Sequence, residues 1–147
     1  VDVASAVAYL HAHNFTHGDI EPRNVFLFHS ADTGKFTAKL GGHNVPLKER
    51  QPKSVEWAPP EHNTEQWSHK ADVYSYGLVL LFLSVPWPTA ETVHPVKKML
   101  RQAKLGKARR EAVQQLLKQC NAKWREVISP CVESDPQKRP EISEVFK

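Results

Sequence analysis

One uninterrupted apolar stretch limits the fold more than any other feature. Val73 to Val85 is the most apolar run in the chain, thirteen residues long. That is short of the about 20 residues needed to cross a bilayer. Apolar side chains fall on nearly every face of a helix from about Asp72 to Ser84. A helix apolar all round belongs inside a core, which outweighs its use as a partner groove. Pro86 and Pro88 end it. The remaining chain must supply the layers that cover it, and 147 residues suffice for one compact domain.

Those layers are legible. Val3, Val7 and Leu10 fall at i, i+4 and i+7, the stripe of a helix from about Val1 to His13, broken at Asn14. Val25 to Phe28 is a short strand-forming run, and Phe36 to Leu40 alternates apolar with polar. Ser30 to Gly34 has hairpin-loop chemistry between them. Gly41 to Pro60 holds two glycines and four prolines without a clean period, which predicts an extended loop. Val96, Met99 and Leu100 mark another helix. Val113, Leu116, Leu117 and Cys120 repeat the spacing, as do Trp124, Val127, Ile128 and Cys131. A last short helix is expected from Glu141, just after Pro140. The predicted class is mainly α, a helical bundle with one small β-hairpin near its start.

Composition narrows the function classes. The net charge of +4 is mild and does not by itself imply nucleic acid. Two cysteines, Cys120 and Cys131, suit buried reduced thiols and a cytoplasmic setting better than a disulfide framework. The opening VDVASAVAYLH has no basic segment before a long apolar core, so no signal peptide or membrane segment is read here.

Chemistry concentrates in Thr16 to Val25, T-H-G-D-I-E-P-R-N-V, between the first helix and the first strand. An Asp and an Asn five residues apart on a pinned loop can converge on one point. Asp19 can accept a proton from a hydroxyl, and the Asn24 side-chain oxygen can bind a hard cation. His17, Asp19, Ile20 and Asn24 resemble the protein-kinase catalytic loop H-R-D-L-x-x-x-x-N. Three further segments follow in the kinase order. Trp57-Ala-Pro-Pro-Glu61 resembles the W-x-A-P-E that closes an activation segment. Asp72-Val-Tyr-Ser-Tyr-Gly77 is similar to the D-V-W-S-F-G that opens the central helix. Cys131 to Pro140 resembles C-W-x-x-D-P-x-x-R-P. The resemblance covers essentially the whole chain, and Arg23 and Trp57 tilt it toward tyrosine-kinase and tyrosine-kinase-like groups.

The resemblance implies a kinase C-terminal lobe with ATP and magnesium as the family's cofactors. It makes Asp19 the catalytic base and Asn24 a magnesium ligand. It makes His17 a structural residue that packs the loop. Asp72 would hold the loop backbone, and Glu61 with Arg139 would tie the activation segment to the helical base.

The pattern fails at three positions. The D-F-G aspartate falls on Gly42, followed by His43 and Asn44. Magnesium needs that carboxylate, imidazole is a poor substitute, and Asp32 lies in the hairpin turn. Gly18 replaces the arginine that pairs with an activation-loop phosphate. Glu21 sets a negative charge where it opposes an incoming γ-phosphate. Ser54 is the only hydroxyl residue between Gly42 and Glu61. Nothing resembles a Gly-rich loop or the V-A-I-K lysine, so residues 1–147 are expected to be a partial kinase domain without its N-terminal lobe. Without those parts, positioning and charge stabilisation are largely lost.

The leading expectation is a pseudokinase acting by protein–protein binding in signalling. A second is the C-lobe of an active protein kinase. A third is a small-molecule phosphotransferase, because His17-Gly18-Asp19 with Asn24 also resembles the H-G-D-x-x-x-x-N of aminoglycoside and choline kinases. Lys97 to Arg110 holds seven basic residues and no acidic one. This reads as a solvated helix face or as a docking surface for an acidic protein partner. His11 and His13, two apart on a helix, face different ways and do not build a metal cluster with His17.

Overall fold

The computed structural model describes residues 1–42, 54–62, 68–87, 93–103 and 106–147. Helix α1 spans Asp2–Ala12, and strands β1 (Val25–His29) and β2 (Phe36–Leu40) follow. Then come helices α2 (His69–Ser84), α3 (Pro95–Ala103), α4 (Lys107–Gln119) and α5 (Ala122–Cys131). The two strands form an antiparallel hairpin with Val25 opposite Leu40 and His29 opposite Phe36. The described chain is therefore a helical lobe with one hairpin, as the periodicities predict.

Helix α2 is the centre. Val73, Leu78 and Leu81 are fully buried, and its only partly exposed stretch is near its ends. Each such side chain contributes about 1.5–3 kcal/mol of apolar burial. Helix α5 lies so close that a Cβ on Gly77 would stand 2.8 Å from Cys131 Cβ and Val132 Cγ1. Only a glycine permits that approach. Helices α1, α3 and α4 add Val7, Val96, Leu100 and Leu116, all with no exposed area. Cys120 and Cys131 are buried free thiols, and burial pushes the Cys131 thiol up to about 12.

Some boundaries differ from those expected. Helix α2 begins at His69, after an extended Ser68. Its first turn is polar, so apolar periodicity could not mark it. The helix ends at Ser84 with Val85 extended ahead of Pro86, a residue-before-proline effect; Pro88 lies outside the described residues. The helix expected from Glu141 is only a 3-10 turn, Ile142–Glu144, capped reciprocally by Glu141 and Glu144. Of the loop expected from Gly41 to Pro60, residues 43–53 lie outside the described set, and Val55–Trp57 forms a 3-10 turn.

Candidate functional site

The 16–24 loop is bolted to α2 by Asp72, which is 1% exposed. Its Oδ2 accepts from the His17 amide at 2.7 Å and its Oδ1 from the Gly18 amide at 2.8 Å. Two charge-assisted bonds to adjacent amides set the loop's direction. The Asp19 amide donates to His17 Nδ1 at 3.2 Å, so the ring's proton sits on Nε2. His17 Nε2 therefore donates to the Gly41 carbonyl at 2.8 Å. The ring clasps the loop to the segment that follows β2.

Asp19 is half-buried, and Asn24 lies against it. Asn24 Nδ2 donates to the Asp19 carbonyl at 2.7 Å and to Asp19 Oδ2 at 3.0 Å. The expected convergence of these two side chains is thus present in the geometry. Gly42, where the resemblance would set the metal aspartate, has φ of 87°. A Cβ there would stand 2.7 Å from Asn24 Cγ and Nδ2 and 2.9 Å from Oδ1. The Asn24 amide fills the space that a side chain at 42 requires.

These residues do not fit magnesium. The ion prefers several hard anionic oxygens, and here the Asn24 oxygen is neutral and position 42 supplies no carboxylate. Asp32 is exposed in the hairpin turn. Among the described residues, no group of three or more His, Cys, Asp or Glu could hold a metal ion. His43 and Asn44 lie outside the described residues.

Glu61 and Arg139 form a fork at 2.6 and 2.9 Å, with the Arg139 side chain fully buried. Arg139 also donates to the carbonyls of Lys70, Glu133 and Ser134, and its guanidinium lies 4.8 Å from the centre of the Tyr74 ring. One side chain thus joins three segments distant in sequence.

The 55–57 turn is held from two sides. Arg109 donates to the Glu56 carbonyl at 2.5 Å and the Val55 carbonyl at 2.7 Å, and Ser75 Oγ donates to the Trp57 carbonyl at 2.8 Å. Arg109 is 1% exposed, and burial pulls its guanidinium below the ordinary value. The expected basic surface from Lys97 to Arg110 is corrected on this point. Arg109 is an internal strut, Arg101 is bound to Glu56 Oε1 at 2.9 Å, and Lys104 lies outside the described residues.

Periodicity gave no sign of two histidines. His11 Nε2 is 2.9 Å from Asp72 Oδ2, and its ring stacks on His69 with centroids 4.1 Å apart and planes 6° from parallel. Burial, then the neighbouring His11, lowers the His69 pKa despite Asp72 and Glu141. By contrast, His13 Nδ1 turns back to the Tyr9 carbonyl at 2.8 Å.

No described helix is long and apolar enough to cross a membrane. The family model of protein tyrosine and serine/threonine kinases matches residues 1–147. The chain is 26% identical to the serine/threonine-protein kinase STY46 of Arabidopsis thaliana, over 100% of this chain and 25% of that protein. It is 29% identical to probable serine/threonine-protein kinase 2 of Autographa californica nuclear polyhedrosis virus, over 100% of this chain and 66% of that protein. It is 28% identical to a putative tyrosine-protein kinase of Caenorhabditis elegans, over 97% of this chain and 16% of that protein. The chain thus spans a quarter or less of two of these relatives and about two thirds of the viral one. The loop, its buried aspartate anchor, the Glu61–Arg139 fork and the match along the full chain converge: the chain belongs to the protein tyrosine and serine/threonine kinase family.

Proposed function

We propose that the protein is a pseudokinase, a kinase-like module that works by binding other proteins rather than by transferring phosphate. The observation that carries this reading is the contact between Gly42 and Asn24. The family's metal aspartate is missing, and the volume it would enter is taken by an amide locked to Asp19. Phosphoryl transfer depends on positioning and on neutralising phosphate charge. Glu21 places a buried carboxylate, ion-paired to Arg23, two residues from Asp19. The 1–147 unit is read as the C-terminal lobe of a kinase-like domain, and the two buried free thiols suit a cytoplasmic setting.

A second reading is favoured by Asp19 and Asn24, which retain the family's residue types and meet at 3.0 Å. On that reading the protein is an active kinase whose metal carboxylate comes from elsewhere. The small-molecule phosphotransferase reading keeps only its local H-G-D match, since the family match runs along all 147 residues.

Nucleotide titration of the full-length protein, with and without magnesium, separates the readings. The pseudokinase reading predicts that magnesium leaves nucleotide affinity unchanged within about twofold. A tenfold or greater gain with magnesium overturns it.

A further inference from the structure

Asp72 carries one contact beyond its hold on the 16–24 loop. Its Oδ2 takes the His17 amide at 2.7 Å and also stands 2.9 Å from His11 Nε2. An ionised carboxylate only accepts, so this nitrogen of His11 carries the ring's proton. The other ring nitrogen, Nδ1, is buried without a hydrogen-bond partner among the described residues. A second proton on the His11 ring would therefore meet no acceptor at that end.

His69, the first residue of α2, is the neighbour placed to take a proton instead. Its ring is half-buried and lies flat on His11, with centroids 4.1 Å apart and planes 6° from parallel. Four titratable groups surround it. His11 faces it from α1, Lys70 and Asp72 come from its own helix, and Glu141, bound to Lys70, comes from the cap of the 142–144 turn. Burial first and His11 second oppose a charge on His69, and Asp72 and Glu141 favour it without prevailing. The ring is therefore neutral near pH 7 and charges below the ordinary histidine value near 6.5. Once charged, it is drawn to the carboxylates of Asp72 and Glu141. Its N–H groups lie in the ring plane, and neither donates to a carboxylate among the described residues while the rings are stacked. To aim one there, the ring must turn, and turning breaks the parallel stack on His11.

We propose that His69 is a pH-responsive switch on the anchor of the 16–24 loop: protonated, it turns off the His11 ring, His11 releases Asp72, and Oδ2 is left to the His17 amide alone. An oxygen no longer shared between two donors is the better acceptor for the one that remains, so the His17 amide bond tightens. The Gly18 amide sits on Oδ1, the oxygen His11 does not touch, and responds less. The switch uses none of Asp19, Asn24 or Gly42, so it holds whether or not the protein transfers phosphate.

The test is NMR of the full-length protein as the pH is lowered from 7.5 to 5.5. Carbonyl-labelled threonine with nitrogen-labelled histidine marks the Thr16–His17 peptide, and carbonyl-labelled histidine with nitrogen-labelled glycine marks His17–Gly18; each pair occurs once in residues 1–147. The His17 amide proton is expected to move downfield with the same midpoint as the His69 ring signals, and at least about twofold further than the Gly18 amide proton. His69→Gln and His69→Tyr carry side chains that do not titrate in this range, and each should erase the His17 inflection, with thermal melting confirming folded proteins. His11→Phe keeps a flat ring for the stack but has no donor for Asp72. There His69 should still titrate while the His17 amide stands still. A His17 amide that does not move, an inflection that persists in either folded His69 variant, or one that persists in His11→Phe overturns the proposal.

Discussion

Gly42 and Asn24 compete for one volume: a methyl group on Gly42 would lie 2.7 Å from both Cγ and Nδ2 of Asn24. On the proposed reading, the absence of an aspartate at 42 is therefore not a bare deletion of charge. Asn24 has settled into the space and is held there by Asp19 on two atoms. The missing carboxylate and the pinned amide are one packing arrangement.

Gly42→Ala should accordingly destabilise the protein by about 1–3 kcal/mol, from the positive φ and the displaced amide together. In an Asn24→Ala background the contact atoms are gone, and the cost should fall to that of the backbone alone. A urea-denaturation double-mutant cycle measures the difference. Equal costs in the two backgrounds would show that the two residues are not coupled.

The Glu61–Arg139 fork yields a larger effect. Glu61→Gln leaves the Arg139 guanidinium buried with its charge uncompensated. The expected loss is about 3–5 kcal/mol of unfolding free energy. Arg139→Lys should fail to restore stability, because a point ammonium cannot serve Glu61 and three carbonyls at once. Denaturant midpoints near that of the unmodified protein for either variant would contradict this account of the lobe's anchor.

Stability should also fall with pH in a defined window. The pKa of His69 is lowered, by burial first and His11 second, and burial lowers that of His94 as well. Below the ordinary histidine value near 6.5, the unfolded chain takes up these protons before the folded one. The stability these neutral rings contribute is present above pH 6.5 and lost as pH falls through their folded values. Glu141, whose pKa is lowered by Lys70, acts only below the carboxylate value near 4.5, so the windows are separate. Melting curves from pH 7.5 to 5.5 should show the decline, and His69→Gln should shallow it. An unchanged slope in His69→Gln would remove His69 from the explanation.

Legibility in the sequence followed physical range. The core of α2 was readable because apolar residues on all faces admit one environment. The hairpin was readable because alternation and turn residues act locally. The first turn of α2 was not, since His69 and Lys70 carry no apolar signal. The 16–24 loop was readable only through residue types at fixed spacing. Two of its amides bond to Asp72, 54 and 55 residues away, a contact no local pattern marks, and the stack of His11 on His69 left no trace in any local pattern either. Arg109 shows the same limit from the other side. It sits in a basic run that reads as surface, yet it is buried and holds the 55–57 turn by two carbonyls. Glu21 could be read as an unusual charge, but its pairing with Arg23 is a matter of geometry alone.

The central claim is tested most directly by phosphate transfer from ATP by the full-length protein, compared with its Asp19→Asn variant. The account predicts that both proteins show the same background rate, because Asp19 has no metal-bound phosphate to serve. A measurable rate that falls by two or more orders of magnitude in Asp19→Asn would contradict it and establish Asp19 as a working base.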